Sequence, residues 1–327
     1  MLCEEFPMIR IARTLSFGLL ALFVFSDATH AQAWPQRTVR FIVPLPPGSG
    51  MDLSARVVAE RLAPKWGQSV VVENRQGADG IPAVTAFFTA RDNHTFLFSF
   101  GSIVTFNHLL HEKLPYDRRD IIPLAPVIDN FLGASVTAML KVDTLKDFVA
   151  LAKAQPGKLN YAVTPGLPVY ALLALQRQTG IVLTNVPYRD FAPAYSDLNT
   201  GRLHLISTGV PTQVAHHRAG TAKLLFVTNS ERSPQVPDVP TAKEAGYPDL
   251  TFEGVSGVYG WRDIAPEIVK RVVADVGAIV ADPDFRARVI KVGTVPRPGT
   301  QEQFAAAIEG QRKQIETIHA ASKQPGR

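Results

Sequence analysis

The sequence predicts an α/β fold in two lobes, each a mostly parallel sheet flanked by helices. Short β-branched or aromatic runs alternate with helix-like stretches from Val39 onward, the pattern of strands joined by crossover helices. The alternation restarts as a second series after Val127, and after Phe252 the chain turns to long helices. The 327 residues are 46% hydrophobic and 19% charged, enough for one large or two medium cores and unlike a disordered chain.

Residues 1–33 read as an export signal. Arg10 and Arg13 form a basic start, Leu15 to Phe25 an apolar core, and Ala31-Gln32-Ala33 an A-x-A cleavage site. The apolar run is short for a bilayer span. Glu4 and Glu5 are unusual in such a segment, and a start at Met8 gives the conventional MIRIARTLSFGLLALFVF. Cys3 is the only cysteine and precedes the apolar core, so the exported chain has no disulfide, thiolate nucleophile or cysteine metal ligand. Cleavage removes two basic and three acidic groups, moving the net charge from +5 to +6. The basic residues are scattered among acids, without a basic run or an aromatic–basic strip. That argues for attraction of small anions and against a nucleic-acid partner.

The strand candidates, in order, are VRFIVP, SVVVE, TFLFS, ASVTAML, LNYAV, VLTNVP, LHLIS and LLFVT. Between them, Leu53, Val57, Val58 and Leu62 fall on one helical face. Thr144 with Asp147 makes a capping-box start for a helix carrying Leu145, Phe148, Val149 and Ala152. Long helices are predicted over Pro266 to Ala281 and Thr300 to Ala321. The resulting division is 34–130 for the first part of lobe 1, 131–252 for lobe 2, and 253–327 returning to lobe 1. Ligands of such folds enter the cleft at the carboxyl ends of the strands.

The stretch FIVPLPPGSGMDLSAR, Phe41 to Arg56, has a strand leaving through Pro46, Pro47, Gly48, Ser49 and Gly50 directly into a helix. Glycines let a ligand approach the backbone, and the first N–H groups of a helix lack intrahelical partners and carry partial positive charge. This is a site for a carboxylate or phosphate, with Ser49 either capping the helix or donating to the anion. The alternative is a plain capped turn in which Asp52 offsets the dipole and pairs with Arg56. Neither GxxxxGK[ST] nor GxGxxG is present. A second such turn, Thr164-Pro165-Gly166, follows LNYAV. If the lobes face each other, one carboxylate reaches both sets of amides and the Thr164 hydroxyl.

Six ordered stretches, FIVPLPPGSGMDLSAR, VVVENRQGADG, KLPYD, KAQPGKLNYAV, NVPYRDFAPAYSDL and ERSPQVPDVPTAKEAG, resemble the successive motifs of the Bug-type periplasmic solute-binding receptors of tripartite tricarboxylate transporters. The resemblance runs from about Trp34 to the C-terminus. It implies a two-lobed, periplasmic-binding-protein-like clamp that closes on a small organic acid through backbone amides and waters. It also implies a monomer without cofactor or metal, working with membrane transporter subunits in uptake or serving as a sensor.

Departures from that pattern bear on the ligand. Met51 stands where Thr is usual, Leu167 and Tyr170 replace polar residues of the second loop, and Asp79 and Asp190 stand where Gly is usual. Extra carboxylates in the cleft would repel a polyanion such as citrate, which points to an apolar or aromatic monocarboxylate, or an amino-bearing one contacting Asp190. Asp190 turned to solvent or paired with Arg189 is the alternative. Ser99, Gly101 and Ser102 follow TFLFS and resemble a family loop at a strand end. Tyr188 and Arg189 line the cleft or, for Tyr188, pack. The candidate ligand contacts are thus Pro47, Gly48, Ser49, Gly50, Met51, Asp52, Ser99, Gly101, Ser102, Thr164, Gly166, Tyr188, Arg189 and Asp190. No catalytic or metal-binding residue is assigned. His216 and His217 are adjacent on a predicted helix and point to different faces, and the other histidines lack HExxH or HxH spacing. A secreted hydrolase acting on a small ester or amide is the competing function. It lacks a GxSxG elbow and a cysteine. A polyanion-binding envelope protein is a third reading, resting on charge alone.

Overall fold

A computed structural model describes residues 34–164, 166–188 and 191–322. Residues 1–33, with the export signal, lie outside them. From Arg37 onward the chain forms one compact unit built on two sheets. The first takes its strands in the order β11-β4-β10-β3-β1-β2 and the second in the order β7-β6-β8-β5-β9. No helix among the described residues is long and apolar enough to cross a membrane.

Strand β1 (Val39–Val43) pairs in parallel with β2 (Val70–Asn74) and β3 (Thr95–Phe100). Its Phe41 is fully buried between Phe96 and Phe98, with ring centroids 6.3 and 6.1 Å away. Helix α1 (Gly50–Trp66) returns over this sheet with Val57, Val58 and Leu62 buried and Leu53 half-buried. The indole of Trp66 at its far end donates to Asp275 at 2.7 Å. The chain continues through α2 (Ile81–Ala90), the short helices α3 (Ser102–Thr105) and α4 (Asn107–Leu110), and β4 (Ile121–Asn130).

In the second sheet, β5 (Leu132–Thr137) is followed by α5 (Leu145–Ala154), which starts in the capping box of Thr144 and Asp147 and buries Leu145, Phe148, Val149 and Ala152. The remaining elements are β6 (Asn160–Val163), α6 (Leu167–Thr179), β7 (Thr184–Asn185), α7 (Phe191–Asn199), β8 (Leu205–Gly209), α8 (Val210–Arg218) and β9 (Ala222–Val227). The chain then returns through β10 (Gly254–Trp261), α9 (Pro266–Val280), α10 (Pro283–Lys291), β11 (Val295–Pro296) and α11 (Gln301–Ser322).

The two-lobed α/β architecture agrees with the sequence, and each sheet is mixed, with four strands running in one direction. β10 runs antiparallel to both β3 and β4, and β5 runs antiparallel to both β8 and β9. Parallel neighbours need a long crossover connection. By contrast, β5 follows β4 after the single residue Phe131, and β10 arrives from the other sheet, so neither is joined to its sheet neighbours by such a crossover. Three strands also escaped the sequence pattern: β4, β10 and the two-residue β11. Pro123 and Pro126 interrupt β4, and β10 contains three glycines.

The two passages between sheets run side by side. The N–H of Thr228 donates to Leu132 O at 2.9 Å, and the N–H of Phe252 donates to Thr228 O at 2.9 Å. Asn229 spans them, donating to Asn130 O at 3.3 Å and accepting from the N–H of Leu132 at 3.4 Å.

Helix α11 packs one stripe on both lobes. Phe304 and Ile308 enter the core under the first sheet, while Ile315 and Ile318 enter the core of the second. Gln311, between them, accepts from the Thr105 hydroxyl at 3.0 Å and donates to Glu253 O at 2.8 Å. The positions 304, 308, 311, 315 and 318 keep the four-three spacing that holds a stripe on one helical face. Phe106 of the first lobe joins the second core, its ring 5.5 Å from that of Tyr170 on α6.

Candidate cleft between the lobes

Three helices begin at one cleft of about 470 Å³, within the range of small-molecule sites. Helix α1 brings Ser49, Gly50 and Met51, helix α6 brings Gly166, Leu167 and Pro168 with Thr164 before it, and helix α8 brings Pro211 and Thr212 with Thr208 and Gly209 before it. Phe100, Gly101 and Ser102 form part of the first-lobe wall, and Asn130, Phe131, Leu132, Gly254 and Val255 form the floor where the chain passes between lobes.

At α1, Ser49 is the N-cap and its hydroxyl accepts from the N–H of Asp52 at 3.3 Å. The N–H of Gly48, at φ 83°, donates to the Asp52 carboxylate at 2.8 Å. Asp52 is nearly fully buried and also accepts from Asn74 at 2.9 Å and from Arg56 at 3.1 Å. Burial raises its pKa, but the bonds from Arg56, Gly48 and Asn74 outweigh that and hold it below its usual value. Asp52 is therefore a brace for the loop, as in the plain-cap alternative. Among the described residues, the N–H groups of Gly50 and Met51 have no acceptor.

At α6, Gly166 takes φ 101° and ψ −146°, a region open essentially to glycine alone. The N–H groups of Gly166 and Leu167 have no acceptor among the described residues. Thr164 is anchored by its N–H to Ser207 O at 3.1 Å and by its hydroxyl to Thr208 at 3.3 Å. The α8 turn is held from below by the fully buried Gln213, which accepts from Ser135 at 2.5 Å and donates to Gly133 O and Thr208 O at 3.1 and 2.9 Å.

Of the predicted contacts, Ser49, Gly50, Met51, Gly101, Ser102, Thr164 and Gly166 line this cleft. Pro47 and Gly48 are exposed at the turn and do not line it. Ser99 is fully buried within β3, opposite Gly257. Tyr188 packs on the cluster of Ala194, Leu198 and Ile206 and donates to Asp197 at 2.6 Å; burial, with Asp197 beside it, pushes the phenol up to about 12. Arg189 and Asp190 lie outside the described residues. Asp79 does not line the cleft, and its carboxylate meets His111 at 2.9 Å. Tyr170, read as a departure in the second loop, is buried in the second core. Residues missed in the sequence are Phe100, Phe131, Thr208, Thr212 and Thr294. The stretch LISTGVPT, a strand running through glycine into a helix start, carries the signal that would have found two of them.

No Asp, Glu, Lys, Arg, His or Cys is among the described residues that line the cleft. Two helix starts at the cleft instead carry four N–H groups without an acceptor among the described residues, the electrostatics of an anion site without a counter-charge.

Residues 54–322 match the family described as "Tripartite tricarboxylate transporter family receptor". The chain belongs to this receptor family. Relatives of the receptor include BugT of Bordetella pertussis, 34% identical over 244 residues and covering 73% of this chain and 75% of BugT. Among solved structures, Rpa4515 of R. palustris with adipate superposes with a TM-score of 0.75 at 28% identity, covering 88% of this chain and 98% of that one. MatC (Rpa3494) of Rhodopseudomonas palustris with bound malate gives a TM-score of 0.72 at 27% identity, covering 88% and 100%. The receptor's family and its solved relatives are binding proteins, and the match supports no hydrolase reading.

Proposed function

We propose that the receptor captures a small organic monocarboxylate with an apolar or aromatic body, between its lobes, in the periplasm. It then presents the ligand to membrane transporter subunits or signals its presence. The observation that carries this reading is the pair of helix starts at one cleft, each with two unpaired N–H groups. A carboxylate bridging Gly50 and Met51 to Gly166 and Leu167 gains several charge-assisted hydrogen bonds of about 1.5–3 kcal/mol each. Micromolar affinity needs about −8 kcal/mol net, which leaves room for ordering costs. The ligand, touching both lobes, favours the closed form over the open one.

The side walls favour an apolar body. Leu45, Met51, Phe100, Phe131, Leu132 and Leu167 surround the amides, and no described basic side chain awaits a second or third carboxylate. The solved relatives holding adipate and malate support carboxylate capture as such. An amino-bearing acid is the variant of this reading in which Asp190 reaches the ligand. Export is read from residues 1–33, the family's receptors being periplasmic, and a monomer is part of this proposal.

Native mass spectrometry of protein purified from its own cells, looking for a co-purified acid, tests the assignment. Calorimetry against benzoate, an α-amino acid and citrate then ranks the classes. Benzoate binding more tightly than citrate is the expected order. Tight citrate binding unchanged by Asp190→Gly overturns the monocarboxylate reading, and binding of an amino acid that Asp190→Gly abolishes selects its amino-bearing form.

A further inference from the structure

Behind the cleft, a second pocket of about 560 Å³ shares the Phe131 wall and is lined by five charged groups: Asp129, Glu231, Glu253, Arg286 and Arg297. It sits at the two passages between the lobes. Asp129 is next to the end of β4, and Glu253 immediately precedes β10. Arg297 follows β11, and its Nη1 lies 2.9 and 2.8 Å from the two Asp129 oxygens but 3.6 Å from Glu253. Glu253 in turn accepts from the N–H of Ser230 at 3.0 Å and from Asn229 at 3.5 Å. These two residues lie just beyond β9 of the second sheet. One guanidinium therefore serves two carboxylates, and one of those carboxylates also holds the edge of the other lobe.

The Asp129 side chain is only 16% exposed. The charged groups around it are Arg297 after β11, Glu253 before β10, Glu231 after β9 and Arg286 on α10. Burial raises the Asp129 carboxyl, Arg297 opposes it, and Glu253 and Glu231 add to the rise, leaving it at about 6.

We propose that this cluster is a proton-operated latch on the passages between the lobes, in which Asp129 and Glu253 compete for Arg297. At pH 8 Asp129 is ionised and the guanidinium stays with it. Proton uptake by Asp129 neutralises that partner and hands Arg297 to Glu253. Glu253 already accepts from the N–H of Ser230, so drawing Arg297 onto it strengthens an existing tie between the lobes and tightens the arrangement in which both sets of amides share a cleft. No ionisable side chain among the described residues lines that cleft, and a simple carboxylic acid is already ionised above pH 5. The latch therefore predicts a pH dependence of binding between 5.5 and 8 that is lost in Asp129→Asn. The ligand arm of the test rests on the proposed function, while the latch itself does not.

The test measures the distance between lobes without ligand. Cys3 is the only cysteine, so Cys3→Ser with Val71→Cys and Val182→Cys places one spin label on each lobe, at residues 42% and 54% exposed. The wild-type background should give a narrower distance distribution at pH 5.5 than at pH 8. Asp129→Asn should be narrow at both. Glu253→Gln, which removes the carboxylate to which Arg297 would be handed, should be broad at both, and circular dichroism checks that each variant is folded. Equal distributions at the two pH values in the wild-type background, or a pH response that survives in Asp129→Asn, overturns the latch. Calorimetry with benzoate adds the second arm. Affinity rises about fivefold on going from pH 8 to 5.5, within the usual range of coupling between sites, and stays flat in Asp129→Asn. A distance response without benzoate binding at either pH upholds the latch and counts against the proposed ligand class. Benzoate binding with the same pH dependence in Asp129→Asn counts against the latch and upholds the ligand class.

Discussion

The N–H of Gly48 donates to the buried carboxylate of Asp52 at 2.8 Å, so the acid nearest the anion loop closes the loop on itself, and the N–H groups of Gly50 and Met51 are left without an acceptor among the described residues. Asp52→Ala strips partners from Gly48, Asn74 and Arg56 at once. It should destabilise the protein by about 1–3 kcal/mol, the cost of unsatisfied buried groups. It should also weaken ligand binding although Asp52 touches no ligand. Denaturant titration together with calorimetry checks both. Unchanged affinity would show that the loop holds its shape without the brace.

Gly166→Ala should weaken binding at least tenfold. The backbone at φ 101° strains any other residue, and a Cβ there would come within 3.2 Å of the Phe106 ring. The strain is worth about 1–3 kcal/mol and is relieved by moving the amides that face the cleft. Calorimetry reads the affinity, and a fall in melting temperature without loss of affinity would separate packing from binding.

Met51 is almost fully buried yet forms part of the cleft wall. Met51→Thr removes apolar contact and adds a hydroxyl. It should weaken an apolar acid by about 1–3 kcal/mol and improve binding of a hydroxylated acid such as malate. Competition calorimetry with benzoate and malate shows the switch. A parallel change for both acids would remove Met51 from the specificity wall.

Tyr170 buries its hydroxyl without a hydrogen-bond partner among the described residues, and burial raises its pKa. Tyr170→Phe keeps the ring against Phe106 and deletes the unsatisfied group, so stability should stay level or rise by up to about 1 kcal/mol. Phe106→Ala should instead cost about 3–5 kcal/mol, because it empties the contact through which the first lobe enters the second core. Thermal melts of the two variants distinguish these outcomes.

Asp129 has a folded pKa of about 6, above the ordinary 3.8. The folded protein therefore binds this proton more tightly than the unfolded chain, and stability falls as pH rises from about 4 to 6. Above 6 the ionised, buried acid carries its full cost. Asp129→Asn should accordingly gain stability relative to wild type at pH 8 compared with pH 5, by about 1–3 kcal/mol. Urea denaturation at the two pH values measures the difference. An equal difference at both would mean that the acid titrates alike folded and unfolded.

Much of the clamp could be read from residue types because local rules and tertiary packing agree there. The strand–turn–helix of Phe41 to Arg56, the capping box of Thr144 and the apolar face of α9 carry their own signals, and seven predicted contacts meet at one cleft. What was missed has a common cause. Strand β10 reads as a loop because of its glycines, yet a side chain at Gly257 would collide with Ala125 O and Phe304. Its composition answers to close neighbours that local sequence does not reveal. Ser99 and Tyr188 show the opposite case. Ser99, near the end of β3, is fully buried, and Tyr188, three residues past β7, donates to Asp197; neither lines the cleft.

The placement of β10 also governs when the molecule can be assembled. It lies between β3 and β4 and is antiparallel to both. A growing polypeptide stopped before residue 254 thus has β4 without its place beside β3, even though every strand of the other sheet has been synthesised. The first sheet therefore closes only once β10 has been made, and its β1–β3 part and β4 stay unjoined until late in synthesis.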